Sequence, residues 1–102
     1  IEIARRLIPL GAYFSFSGYF LQLRKAAVLE AFRQLPTGRI LLETDAPDML
    51  PPEDVITHPL AEKRNHPANL AAIGNTLAEA LGTKSGELAT LTDRNTRECF
   101  GL

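Results

Sequence analysis

Apolar positions in the first part of the chain follow two spacings, and each spacing predicts a different element. Ile1, Ala4 and Leu7 recur at helical spacing, and Gly11 follows at a position typical of a helix end. Residues 12–17, with the sequence AYFSFS, alternate small or hydroxyl side chains with aromatic ones, a period of two that favours a strand. We therefore predict a helix that ends at Gly11 and a strand after it.

The same order of elements then repeats. Leu21, Val28 and Leu35 lie seven residues apart, which predicts an amphipathic helix over residues 21–35. Residues 40–42, with the sequence ILL, form a short apolar run typical of a strand buried on both faces. Alternation of helix and strand with short connections indicates right-handed βαβ units, so the predicted fold class is α/β with a parallel sheet.

The second half of the chain is predicted to be a long loop followed by helices. Residues 45–66 contain four prolines, and a loop of this length is unusual unless it has a function. A helix is then predicted from Pro67 to Gly82, with Gly74 closely packed inside it. Two short helices are predicted to follow. Their predicted caps are Thr83 and Asp93, and Cys99 is expected on the packed face of the second.

Glu43 and Asp45 follow the second predicted strand directly. Parallel α/β folds keep their chemistry at the carboxyl ends of strands, and two residues that are two apart on an extended segment point to the same side. Acids beside a buried strand need compensation, for which a divalent cation or a fixed hydrogen-bond donor is the usual solution. The alternative is an ordinary strand end with solvated acids.

Other polar residues are candidates for substrate contact. In a barrel, Tyr13, Ser15 and Ser17 would line the interior, with Ser17 nearest the site and plain packing or local hydrogen bonding as the alternative. In the long loop, Lys63 and Arg64 have the chemistry to meet phosphate oxygens, unless they are simply solvated charges. Two further loop residues, His58 and His66, lack a tight ligand spacing, and we do not expect them to bind metal.

Composition limits the function classes. With 102 residues, of which 45% are hydrophobic, the chain has the size and the apolar content of a small domain. Its net charge of −1 argues against nucleic-acid binding by whole-surface attraction but allows a local basic patch. Cys99 is the only cysteine, which excludes an intrachain disulfide and a cysteine-cluster zinc site. No stretch reaches the roughly 18 apolar residues of a membrane span. We expect a cytoplasmic setting, with the nucleus as an alternative, and no membrane partner.

Four segments together resemble the carboxyl-terminal part of the TatD family of metal-dependent deoxyribonucleases. They are SFSG at 15–18, LLETDAPDM at 41–49, KRNHPANL at 63–70 and LTDRNTRECFGL at 91–102. The resemblance covers nearly the whole chain. It implies that residues 1–102 are the carboxyl-terminal segment of a TatD-like hydrolase domain, supplying the last two βα units and the closing helices of a TIM-type (β/α)8 barrel.

The resemblance also implies hydrolysis of phosphodiester bonds in DNA at a site with two divalent ions, Mg, Mn or Zn. Only Asp45 matches a family metal ligand, with the catalytic role of orienting or deprotonating the attacking water. It implies that Glu43 fixes neighbouring ligands or backbone. Arg64 and Asn65 match a segment near the barrel mouth, which leaves both phosphate contact and loop anchoring open.

One carboxylate cannot hold two divalent ions, so we expect the isolated chain to be inactive and to be a piece of a longer polypeptide. Its two strands would have uncovered edges, which favour self-association. Two other readings remain open. In the first, the chain is a truncated binding or assembly module without catalysis. In the second, it is part of another amidohydrolase-type enzyme that acts on amides or lactones.

Overall fold

The computed structural model of the protein describes all residues 1–102, and its elements follow the predicted order. The first helix, α1 (Glu2–Leu7), continues as a 3-10 turn to Leu10. It ends at Gly11, whose left-handed backbone (φ +85°) is one that glycine adopts without steric cost. The predicted helix end is therefore confirmed.

Two parallel strands lie at the centre of the fold. They are β1 (Phe14–Ser17) and β2 (Ile40–Glu43), and their register pairs Phe14 with Ile40 and Ser17 with Glu43. The predicted parallel pairing is confirmed. We call the end of the sheet at Ser17 and Glu43 the carboxyl edge and the opposite end the amino edge.

The predicted helix over residues 21–35 is right in its centre and wrong at its start. The observed helix, α2, spans Ala26–Arg33, and two 3-10 turns precede it, Gly18–Leu21 and Leu23–Lys25. Between those turns Gln22 is extended (ψ 140°), and its side-chain Nε2 donates to the carbonyl of Leu50 at 3.2 Å. The residue that contacts the long loop is therefore also the extended residue that prevents the helix from starting earlier.

The core forms between the sheet and the helices. Phe16 is fully buried, and its ring meets those of Phe20 and Phe32 edge-on, with centroids 5.6 and 4.9 Å away. Ile40 is also fully buried, but residues 41 and 42 are only half-buried. The prediction that β2 is buried on both faces is thus wrong for these residues, because two strands alone leave part of the sheet uncovered.

A 3-10 turn begins at Pro67 and leads into the third helix, α3 (Leu70–Leu81). The helix ends at Gly82, as predicted. A Cβ atom added to Gly74 would lie 3.1 Å from Leu42 Cδ1, which confirms the close packing expected there. None of the helices has both the length and the apolar character needed to cross a membrane.

The last helix, α4 (Ser85–Phe100), is continuous, so the prediction of two short helices is wrong. Asp93 lies inside α4, where its carboxylate pairs with Arg97 at 3.1 Å and does not cap a new helix. Thr83 does not cap α4 either, because the residue at the cap position is Lys84 and no side chain caps the helix. Cys99 is exposed, contrary to expectation. The last turn of α4 extends past the packed elements, as the exposure of Phe100 also shows.

Candidate active site at the carboxyl edge

The chain turns sharply at the carboxyl edge. Strand β2 stops at Glu43, and Asp45 adopts a left-handed backbone (φ +57°) that aspartate tolerates better than most residues. The amide of Asp48 then donates to the carbonyl of Asp45 at 2.9 Å, which closes a turn. The prediction that Glu43 and Asp45 point to one side required an extended segment through Asp45, and the left-handed backbone of Asp45 makes it wrong. Both acids nevertheless lie at the carboxyl edge.

The carboxylates of Glu43 and Asp45 are not committed to other protein groups. Asp45 is exposed and Glu43 half-buried, and neither side chain takes part in a salt bridge. Carboxylate oxygens are the ligands that hard divalent cations prefer, so the donor chemistry fits such an ion. No group of three or more His, Cys, Asp or Glu side chains in the chain is placed to hold a metal. Glu43 and Asp45 have no third side chain of these types beside them that would complete a metal site within residues 1–102.

A buried asparagine holds the turn that presents Asp45. Asn65 is 1% exposed, and its Nδ2 donates to the carbonyls of Thr44 at 2.7 Å and Asp48 at 3.0 Å. Its backbone amide donates to the carbonyl of Pro47 at 2.7 Å. Of the two roles left open for Asn65, these contacts support loop anchoring. Substrate contact by Asn65 stays a prediction.

A second buried asparagine completes this network, and sequence reasoning missed it. Asn69 is fully buried, and its Nδ2 donates to Oδ1 of Asn65 at 3.0 Å. Its own Oδ1 accepts from the backbone amides of Thr57 at 3.1 Å and His58 at 2.8 Å, which fastens the middle of the long loop. No periodicity marked this pair, because Asn65 precedes the 3-10 turn that begins at Pro67 and the contact depends on the course of the loop.

The other predicted substrate residues have different surroundings. Ser17 is fully buried, and its Oγ accepts from the amide of Tyr19 at 3.3 Å, so it makes the local hydrogen bond given as the alternative. Arg64 is exposed, and its Nε donates to the carbonyl of Ala61 at 3.3 Å. Together with Lys63 it lines a cavity of about 570 Å³ at this edge of the fold. Substrate contact by Ser17 and Arg64 stays a prediction.

The sequence matches a family model described as TatD related DNase over residues 1–101. The chain belongs to this TatD family.

Several relatives are similar in sequence to this TatD-family chain over most of its length. The 3'-5' ssDNA/RNA exonuclease TatD of Citrobacter rodentium is 37% identical over 93 residues, which are 90% of this chain and 35% of the relative. The Escherichia coli protein of that name is 33% identical over 102 residues, or 99% and 38% of the two chains. An uncharacterized metal-dependent hydrolase of Bacillus subtilis, YabD, is 29% identical over 101 residues, or 99% and 37%. This chain thus spans little more than a third of these relatives.

A solved structure agrees in fold. The crystal structure of a TatD family hydrolase from Entamoeba histolytica superposes with a TM-score of 0.78 at 18% identity, over 94% of this chain and 37% of that one. The two parallel strands and their helices are therefore the arrangement that a TatD-family protein has in this region, consistent with part of a barrel.

The two histidines of this TatD-family chain lie together in the long loop. The rings of His58 and His66 have centroids 5.3 Å apart. The Nδ1 atom of His66 accepts from the amide of Ala68 at 2.9 Å, and that of His58 lies 2.9 Å from Thr57 Oγ1. Both Nδ1 atoms thus serve the local loop structure.

Proposed function

We propose that this chain is the carboxyl-terminal segment of a metal-dependent hydrolase that cleaves phosphodiester bonds in DNA. Family membership supports the class of reaction. The observation that supports a site in this segment is the exposed, unpaired carboxylate of Asp45, fixed at the carboxyl edge by the buried amide of Asn65. An acid whose turn is held by buried hydrogen bonds and whose carboxylate has no protein partner is available as a metal ligand.

In this proposal Asp45 binds a divalent cation and helps to orient the attacking water. Glu43, half-buried at the end of β2, holds neighbouring ligands in place. Two bound ions, Mg, Mn or Zn, would supply a water nucleophile at neutral pH and neutralise charge on the phosphoryl oxygens. The remaining ligands come from residues outside 1–102, because this chain contributes too few donors.

On the substrate side, Arg64 is the residue whose geometry best supports phosphate contact. Its guanidinium is exposed beside the cavity with Lys63, and neither cation pairs with a carboxylate. The relatives named as ssDNA/RNA exonucleases support a single-stranded nucleic-acid substrate and an exonuclease. We also propose substrate contact by Ser17, from its expected place on the interior face of a barrel, and by Asn65, from its match to a family segment near the mouth. Such a nuclease would work in the cytoplasm or nucleus.

The test is metal-dependent cleavage of a labelled single-stranded oligonucleotide by the full natural protein. Chelation should abolish activity and added Mg²⁺ or Mn²⁺ should restore it. Glu43→Gln should lower activity by about 10- to 100-fold, the usual effect of losing a group that orients a ligand, and Asp45→Asn should lower it further. Asp54→Asn is the control, because Asp54 is an exposed acid of the same loop that lines a different cavity. Full activity of Asp45→Asn would contradict the proposal.

We also propose that residues 1–102 alone do not cleave DNA and that they self-associate. Leu41 and Leu42 are only half-buried, and Leu23 is 94% exposed, so apolar surface remains available for further contacts. Sedimentation of the isolated segment tests this, and a monomer at micromolar concentration would contradict it.

A further inference from the structure

Cations of this chain divide into two groups by their partners. The chain has 11 lysines and arginines, and four arginines form salt bridges with a carboxylate of the same helix. Of the seven others, four lie on the two segments that leave the carboxyl edge. They are Arg24, Lys25, Lys63 and Arg64. The same segments also carry five acids, which are Asp45, Asp48, Glu53, Asp54 and Glu62. None of the four cations forms a salt bridge with an acid, so each cation is available to an external anion.

An aromatic ring positions the first two of these cations. The guanidinium carbon of Arg24 lies 4.9 Å from the ring centroid of Tyr19, and Nζ of Lys25 lies 5.7 Å from it. Arg24 also donates to the Tyr19 hydroxyl. Cation–π contacts of this kind hold a cation in place without neutralising its charge. Tyr19 itself is fixed by the turn that begins at Ser17.

The amino edge also has an arginine over a tyrosine ring, but there the arginine is hydrogen-bonded to the backbone. Arg39 lies 4.9 Å from the ring centroid of Tyr13, but its Nη1 donates to the carbonyl of Gly11 at 3.3 Å, and the Tyr13 hydroxyl donates to a carboxylate oxygen of Glu98 at 3.4 Å. This cation is engaged by the fold and has an acid nearby. Arg39 is therefore a matched control for Arg24.

Gln22 joins the two cationic segments. Its Nε2 donates to the carbonyl of Leu50, and its side chain lines the same cavity as Lys63 and Arg64. Arg24 and Lys25 follow Gln22 closely in sequence, so the Gln22 contact ties the segment that carries them to the loop that carries Lys63 and Arg64. Glu53 is the only acid that lines this cavity, and it forms no salt bridge with either cation.

We propose that Arg24 and Lys25, positioned by Tyr19, bind phosphates of a single-stranded nucleic acid next to those that Lys63 and Arg64 bind. This rests on the proposed function and adds a second phosphate-binding segment to it. Four cations on two segments exceed what one phosphate needs, and unpaired cations beside an aromatic side chain are typical of single-strand binding. Arginine engages phosphate as a fork and lysine as a point charge.

The experiment measures binding without cleavage. The full natural protein, stripped of metal with EDTA, is titrated into a fluorescein-labelled single-stranded oligonucleotide over a series of salt concentrations. The Arg24→Gln/Lys25→Gln double variant should bind at least tenfold more weakly at low salt. The slope of log K against log salt should fall in magnitude by about 1.4, since each phosphate contact to a single strand contributes about 0.7. Arg39→Gln should leave the affinity and the slope unchanged.

Two results would overturn the inference. One is a double variant with the affinity and salt slope of the parent, and the other is an equal loss in Arg39→Gln. Cleavage separates this inference from the proposed function. A parent that cleaves DNA while the double variant binds normally refutes only the second phosphate-binding segment. A parent that binds through Arg24 and Lys25 but does not cleave with Mg²⁺ or Mn²⁺ refutes only the proposed reaction.

Discussion

The two ends of β2 are held by the same chemical device and differ in what surrounds it. At the amino edge, Nδ2 of the buried Asn95 donates to the carbonyls of Thr37 at 2.8 Å and Ile40 at 2.9 Å. At the carboxyl edge, Nδ2 of the buried Asn65 donates to two carbonyls of the turn around Asp45. A buried amide thus fixes each end of the strand. Only the second one fixes a segment whose acids form no salt bridge.

The difference extends to the cations and aromatic rings. At the amino edge the Tyr13 and Arg39 pair is engaged by a backbone carbonyl and an acid, so this end contributes mainly to stability. At the carboxyl edge the acids and the cations stay separate, because Asp45 and Arg24 have no partner of opposite charge within 4.0 Å. Unpaired charges contribute little to folding, so these groups are free to take the binding and catalytic roles proposed above.

Loss of the buried asparagine amides gives the largest expected effect. Asn65→Ala leaves two carbonyls and the Asn69 amide without a partner, and we expect the free energy of unfolding to fall by about 3 kcal/mol. Asn95→Ala removes two hydrogen bonds, but the Thr37 carbonyl keeps the Ile40 amide as a donor and the Asn95 Oδ1 has no partner to lose, so we expect about 2 kcal/mol. Chemical denaturation of the full natural protein measures both.

Activity separates the two asparagines. Under conditions in which both variants remain folded, Asn65→Ala should lower metal-dependent cleavage because the turn around Asp45 loosens, whereas Asn95→Ala should cleave normally. Asn75→Ala is the control, since Asn75 is exposed on α3 and should change neither property. Equal loss of activity in both buried variants would mean that the two edges do not differ in function.

A smaller effect is expected at the glycines that flank the two strands. A Cβ atom at Gly18, directly after β1, would lie 2.6 Å from Cδ1 of the fully buried Ile73 and 3.1 Å from Pro51 Cβ. Because both neighbours are buried, Gly18→Ala should lower the free energy of unfolding by about 1 kcal/mol. Gly38, just before β2, has nothing within 4 Å of such an atom, and Gly38→Ala should be nearly neutral. Thermal unfolding distinguishes these outcomes, and equal midpoints would contradict tight packing at the carboxyl edge.

The regular elements of the fold could be predicted because their signals are local. A single periodicity predicts the strand in residues 12–17, and another predicts the apolar face of α3. Because a helix connects the two strands, their order then favours a parallel sheet, as observed. Asp93 shows where local signals mislead. Its residue type suits a helix cap, but the ion pair with Arg97 one turn later is equally compatible with a continuous helix.

The site was less predictable because it depends on contacts distant in sequence. Asp45 and Glu43 could be placed at a strand end, but the left-handed backbone of Asp45 accompanies a turn that Asn65 closes from twenty residues away. Asn69 and Gln22 carry no chemical motif of their own. Their roles follow only from where the long loop lies, which no periodicity specifies.

The smallest expected effect concerns the hydroxyl groups of the two tyrosines. Tyr19→Phe removes the contact with Arg24 but keeps the ring, so the cation–π contact and both charges remain. We expect oligonucleotide affinity to fall by about two- to threefold, the equivalent of about 0.5 kcal/mol, with no change in the salt slope. Tyr13→Phe should not alter binding, because its hydroxyl meets only Glu98. The titrations described for Arg24 and Lys25 measure both variants. A reduced salt slope in Tyr19→Phe would show that the hydroxyl is needed for phosphate contact itself, whereas a reduced affinity alone assigns it to the orientation of Arg24.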